Sequence, residues 1–299
     1  MRDTAAHALL AGSIDYAGLF PPAGLAMPTA VAQYAEYRAG PDAWVLGRFV
    51  VPVSRLEELE RAAEGVAPRA PADPWRLSAL VGADAKCELE ALGELNCRHA
   101  AAGAAALTAD VIEARADSVE AVDRLLAAVP RWAQAYVEIP LASDPRPLVA
   151  AIARHGGRAK MRTGGVTSDA FPTAAQILRF LRACTEANVP FKATAGLHHP
   201  LRAEYRLTYA PDSPRGTMFG FINVFLTAVL LGLGLSEADA LALLEERSAE
   251  AITLSAAAIE WRGHRADRAA IDAARRDGIV AFGSCSFTEP VTEAKALGW

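Results

Sequence analysis

Two lysines stand out among the residues of this chain that could do chemistry. Lysine and arginine together number 30, but only Lys86, Lys160, Lys192 and Lys295 are lysines. The Ala- and Arg-rich composition is what results when surface lysines drift to arginine. A guanidinium stays charged and cannot act as an amine nucleophile, so lysines that survive such drift are enriched where an amine is required. Lys160 lies in Arg158-Ala-Lys-Met-Arg-Thr-Gly-Gly165 and Lys192 in Pro190-Phe-Lys-Ala-Thr-Ala-Gly196, a spacing of 32. Both segments read as strands. A neighbouring ammonium and loss of water each lower a lysine's pKa, and a free amine near neutral pH forms a Schiff base with a carbonyl. A purely structural role, with a lysine paired to Glu113 or Glu138 in an ion network, is the competing reading.

Other polar residues fall in or just after apolar runs. Asp15, Arg48, Asp110, Glu113, Glu138 and Thr194 do so, as do Arg162 and Thr163 ahead of Gly164-Gly165. Glu113 and Glu138 form a candidate acid/base pair or a hold for a divalent cation. His198 and His199 are adjacent, so both can serve one metal only from a loop. Joined by Glu113, Glu138 and Asp15 they would make a mixed nitrogen and oxygen site. Arg48, Arg162, Arg202, Arg206 and Arg215 include candidates for a planar fork on a carboxylate or phosphate, and Gly164-Gly165 offers backbone N–H groups to an anion. Cys285 has no histidine within twenty residues and reads as buried structure. His264 is the histidine considered for approaching it in space. The turn Tyr16-Ala-Gly-Leu-Phe-Pro-Pro22 reads as the rim of a pocket.

The elements that position these residues alternate. Eight apolar runs read as strands: 13–19, 44–51, 76–81, 109–114, 134–139, 158–161, 191–195 and 251–259. Helical patterns with Ser, Thr or Pro starts lie between them. Strands alternating with helices of this length argue for a parallel sheet, and eight units in about 250–300 residues is the size of a (β/α)8 TIM barrel. No G-x-G-x-x-G follows a strand, which counts against an open dinucleotide-binding sheet. The expectation is a single barrel domain over residues 1–299 with a long functional loop, 196–216, after strand seven. Active sites of such barrels sit at the C-terminal ends of the strands.

With those residues in place, the chain resembles the class I aldolases, most of all the deoxyribose-phosphate aldolase family. That family carries Lys-Thr-x-Thr-Gly on strand six and Lys-x-x-Gly-Gly on strand seven, and here Lys160-Met-Arg-Thr-Gly and Lys192-Ala-Thr-Ala-Gly stand in those places. Asp110-Val111-Ile112 is similar to the family's acidic strand four. The resemblance implies a Schiff base on Lys160, a pKa-lowering Lys192 and a proton relay through Asp110. It covers about a third of the chain. Arg162 replaces a small residue, His198-His199-Pro200 has no counterpart and the family's phosphate loop is absent, so the substrate need not be a sugar phosphate.

Composition excludes other classes. The net charge is −5 with a pI of about 5.7, and no basic stripe suited to nucleic acid appears. Mean hydropathy is +0.15, but no run of roughly 18–20 apolar residues spans a membrane. The nearest, Phe219–Leu235, reads as a helix buried in the barrel wall or in a homo-oligomer interface. Four cysteines without C-x-x-C spacing and no apolar leader point to a cytoplasmic protein. The expected function is a Schiff-base lyase on a small anionic carbonyl compound, an oxo-acid or sugar-phosphate-like molecule, without cofactor. The alternatives are a metal-dependent lyase, isomerase or hydrolase using Glu113, Glu138 and His198 or His199, and a non-catalytic binding barrel.

Overall fold

The computed structural model describes residues 4–299. Helix α1 (Ala5–Leu10) leads to β1 (Ile14–Tyr16). Six helix and strand steps follow: α2 (Met27–Ala39) and β2 (Leu46–Pro52), α3 (Leu56–Ala63) and β3 (Trp75–Leu80), α4 (Ala85–His99) and β4 (Leu107–Arg115), α5 (Val119–Ala128) and β5 (Gln134–Glu138), α6 (Arg146–Arg154) and β6 (Arg158–Arg162), and α7 (Ala174–Glu186) and β7 (Phe191–Thr194). Then come β8 (Ala203–Arg206), β9 (Arg215–Met218), α8 (Phe221–Gly232), α9 (Glu237–Leu244), β10 (Ile252–Leu254), β11 (Ala258–Trp261), β12 (His264–Asp267), α10 (Arg268–Asp277), β13 (Ile279–Ser284) and α11 (Thr288–Ala296).

Strands β1 to β7 pair in chain order, and β13 closes the ring between β7 and β1. All eight pairings are parallel, so the fold is a (β/α)8 barrel. Local chemistry starts its helices where expected. Ser118 caps α5, and Thr173 with Gln176 forms a reciprocal capping box on α7, each satisfying amides that have no partner within the helix. The strands are apolar because helices cover one face and the barrel interior the other. Tyr34 lies edge-on to Phe49 and Trp75, with ring centroids 5.3 and 5.2 Å away, where α2 seals β2 and β3.

The eighth barrel strand differs from the sequence reading. The run 251–259 is not in the barrel: β10, β11 and β12 form a separate antiparallel sheet. Ser255 breaks the apolar run, since its hydroxyl donates to the Ala258 carbonyl at 2.9 Å and accepts the Ala258 amide at 3.0 Å. A hairpin results, and closure passes to β13, whose Phe282 stacks on Phe221 of α8 at 4.9 Å. The segment 219–235 is a wall helix: Phe221 to Leu230 are all buried within the chain. No helix among the described residues is long and apolar enough to cross a membrane. The long connection after β7 is partly ordered as the antiparallel hairpin β8–β9.

Candidate active site

At the C-terminal ends of the barrel strands, five buried charged side chains form an alternating chain. Lys192 on β7 donates to Asp15 on β1 and, at 2.6 Å, to Glu113 Oε1 on β4. Lys160 on β6 reaches Glu113 Oε2 at 2.6 Å and Glu138 Oε2 on β5 at 2.8 Å. Glu138 Oε1 in turn meets Arg115 Nε at 2.9 Å. Register explains the assembly: Lys160 lies opposite Lys192 across β6–β7 and opposite Glu138 across β5–β6. Neighbours in register project to the same face, so strand pairing places both amines inside. At Asp15 the β1–β2 pairing is irregular, and Asp15 Oδ1 accepts the Arg48 amide at 2.8 Å. Gly47 makes room: a Cβ there would lie 2.4 Å from Asp15 Oδ1.

The electrostatics follow from this alternation. Burial would raise the Glu113 carboxyl, but Lys160 and Lys192 outweigh it and hold the group well below the usual carboxylate range. Burial would lower Lys192, but Asp15 and Glu113 outweigh it and hold the ammonium above the ordinary lysine value. This corrects the expected arrangement. Glu113 stands between the two amines, so they do not face each other as a pKa-lowering pair, and Lys192 is a firmly charged group.

Above the chain lies an open cavity of about 800 Å³. Lys160, Lys192, Glu113 and Glu138 line it, with Arg115, Arg162, Thr194, Gly165 and His198. Phe20, Pro21 and Pro22 form part of its rim, as the turn after strand one suggested. Arg162 is exposed, and its side chain makes no hydrogen bond or ion pair among the described residues. Ala195 and Gly196 both have left-handed backbone, at φ 58° and 74°. Such strain at a non-glycine residue persists where the surroundings impose it and concentrates at functional sites. A Cβ on Gly196 would meet the Gly164 Cα at 2.9 Å, so these glycines let two strand ends close together beside the cavity.

Several expected site residues go elsewhere. Asp110 is the extra residue of an irregularity in β3–β4 pairing. It sits near the start of its strand, held bidentately by Arg48 at 2.8 Å twice and paired also with Arg76. Neither Asp110 nor Arg48 lines the cavity. Thr163 is buried, its hydroxyl bonded to the Ala195 carbonyl at 2.5 Å. Gly164 packs on Phe171. Arg202 stacks over Phe219 at 4.4 Å. The metal site of Glu113, Glu138 and a histidine is not assembled: both carboxylates hold Lys160, His198 Nδ1 faces Ser284 Oγ at 3.3 Å, and His199 Nδ1 meets Glu293 at 2.9 Å.

No protein-family model matches the chain, and no curated protein does. Among solved structures the chain is similar to the spore cortex-lytic enzyme SleL of Bacillus cereus. Identity is 9%, coverage is 96% of this chain and 73% of that chain, and the TM-score is 0.39. A likeness at that level carries no argument about activity.

Sequence reasoning missed Ser78 and Tyr136, while Cys285 is buried as expected and also lines the cavity. Ser78 on β3 donates to Glu113 Oε1 at 2.6 Å, and the β3–β4 register that aims it there is invisible without the fold. Tyr136 on β5 lies under the chain, its ring 5.4 Å from Lys192 Nζ. Cys285, just beyond β13, lines the cavity with its Sγ 3.8 Å from His198 Nδ1. The histidine that reaches it is thus His198 and not His264. Burial, aided by His199, pushes His198 down to about 4, so its imidazole is neutral at neutral pH. Burial pushes the Cys285 thiol up.

Proposed function

We propose that this barrel is a lyase of the class I aldolase type, in which Lys160 forms a Schiff base with a small anionic carbonyl compound. The observation that carries this reading is the position of Lys160 at the cavity floor, with two carboxylates at 2.6 and 2.8 Å. Glu138 is placed to exchange a proton directly with the amine, and Glu113 to offset its charge.

In this reading Lys160 passes a proton to Glu138, and the free amine attacks the substrate carbonyl carbon. A proton moves from the attacking nitrogen to the alkoxide to give a carbinolamine, whose hydroxyl leaves as water when Glu138 returns its proton. The iminium that remains is a cation, and the Glu113 carboxylate, fixed by Lys192 and Ser78, stabilises it. Carbon–carbon cleavage sends the bonding pair toward the iminium and gives an enamine. Neutral His198 accepts the hydroxyl proton released in that step. Protonation of the enamine and attack by water then free Lys160. Arg162, with no protein partner, and Arg115 hold the substrate's carboxylate or phosphate by forked hydrogen bonds. The reading requires no organic cofactor or metal.

The complete pairing of both lysines favours a second reading, a binding barrel in which they only neutralise buried acids. Borohydride reduction in the presence of 2-oxo acids and small aldehydes, read by peptide mass, separates the two. A reduced adduct on Lys160, absent in Lys160→Arg, is the expected result. An adduct on Lys192 would move the nucleophile to β7, and no adduct across the panel would leave the binding barrel.

A further inference from the structure

The hairpin β8–β9 and the last helix meet at a cluster that the lysine chemistry does not use. His199, from the loop after β7, and Glu289 and Glu293, from α11, each offer a ligand atom, and these atoms lie within 4.8 Å of one another. The two glutamates are four apart, so one helix face carries both. His199 is 7% exposed, and its Nδ1 lies 3.0 and 2.9 Å from the two Glu293 oxygens.

Two further observations separate this cluster from a chance gathering of acids. The first is a shortage of positive charge. The four buried carboxylates, Asp15, Glu113, Glu138 and Glu246, each have a lysine or arginine partner, whereas Glu289 and Glu293 are half-buried. Among the described residues neither Glu289 nor Glu293 pairs with one, and nearby Lys295 turns to Asp42 at 2.6 Å. The second is outer support of the kind that orients metal ligands. The Tyr205 ring stacks on His199 at 3.4 Å between centroids and 8° between planes, and its own hydroxyl is tied to the Leu201 carbonyl at 3.0 Å. The Tyr209 hydroxyl donates to Glu289 Oε2 at 3.2 Å.

We propose that His199, Glu289 and Glu293 bind a divalent first-row metal ion, with Zn²⁺ as the reference ion. One imidazole and two carboxylates suit that class of cation. Metal–ligand bonds of about 2.0–2.2 Å require a small inward rotation of the half-buried glutamates. The ion replaces the proton on Nδ1 that now bridges His199 to Glu293. Glu293 and Tyr205 also line an open surface cavity of about 450 Å³, from which water completes the coordination. None of the three ligands lines the lysine cavity. The ion's role is therefore to pin the loop after β7 to α11, and its neighbour His198 forms part of the cavity wall. This site is independent of the Schiff-base reading.

Calorimetric titration of the metal-stripped full chain with Zn²⁺ tests it, with Cys87→Ser and Cys97→Ser in the background because both thiols are exposed. One equivalent should bind. Glu289→Gln and Glu293→Gln, each verified as folded by circular dichroism, should weaken binding at least tenfold, whereas Glu64→Gln at the end of α3 should not. At a hundredfold excess over Kd, the ion should raise Tm by roughly 5 °C, and neither glutamine variant should show the full rise. No stoichiometric binding, or binding that survives both glutamine substitutions, would overturn the proposal.

Discussion

The barrel carries two charged clusters on shared strands, and they are built differently. Near the strand starts, Arg48 and Arg76 hold Asp110. At the strand ends, Lys160 and Lys192 alternate with Asp15, Glu113 and Glu138. Arg48 belongs to both regions, since its guanidinium binds Asp110 and its amide binds Asp15. The lower cluster is partly exposed, with Arg76 57% accessible, and does not line the lysine cavity. Its arginines grip with planar forks that cannot give up a proton. The upper cluster is buried and uses amines, the groups that can give one up, beneath an 800 Å³ opening. On the proposed function, the choice between arginine and lysine separates a fastening at Asp110 from a reactive group at Lys160.

Substitutions can break or sharpen that contrast. Lys160→Arg imports the lower cluster's chemistry into the upper one. It should keep the charge and the fold while lowering turnover roughly a thousandfold or more, as measured by steady-state kinetics on whichever carbonyl substrate the trapping panel identifies. Retained turnover would erase the distinction.

Glu113→Gln removes the acid shared by both lysines and should cost about 3–5 kcal/mol in denaturant unfolding, because it leaves buried charge uncompensated. Its pH dependence has a definite sign. Glu113 is depressed in the folded state, so its contribution is present above the ordinary carboxylate range near about 4.3 and is lost as pH falls through the folded value. Lys192 is raised, so its contribution is full below about 10.4 and is lost as pH rises through its folded value. These two groups should therefore add no slope to wild-type stability between these limits. In Glu113→Gln the acid-side loss should shrink.

His198 gives a smaller effect. Its folded pKa is about 4, below the ordinary histidine value, so the unfolded chain binds the extra proton between roughly pH 6.5 and 4. Stability should fall as pH drops through that window, by at most about 3 kcal/mol, and His198→Asn should flatten that part of the curve. Asp110→Asn should have the smallest effect. A partly solvated ion pair contributes about 1 kcal/mol, and borohydride trapping on Lys160 should be unchanged. A loss of trapping there would show that the two clusters act as one.

Much of this architecture was legible in the residues. Apolar runs separated by capped helices located seven barrel strands, and Asp15, Glu113, Glu138, Lys160 and Lys192 were identifiable as charges near strand ends. The eighth strand was not, because apolarity marks 251–259 as extended without saying which sheet it joins, and the Ser255 turn acts through a hydroxyl bonded three residues on. Asp110 was misplaced because a register irregularity shifts it relative to Glu113. The alternation of the lysines with acids was also hidden, since it depends on which strands are neighbours across the barrel mouth. His199 was recognised as a metal-ligand type, but its carboxylate partners come from a helix some ninety residues later.

The upper cluster divides along the chain. Its three acids, at positions 15, 113 and 138, precede residue 150, and both lysines, at 160 and 192, follow it. During synthesis the first half of the barrel therefore emerges with three inward carboxylates and no amine to meet them, and it gains them only when β6 and β7 arrive. Each half carries the other's counter-ions, so separately produced halves would attract and complete one another, whereas two copies of the same half would repel at their centres.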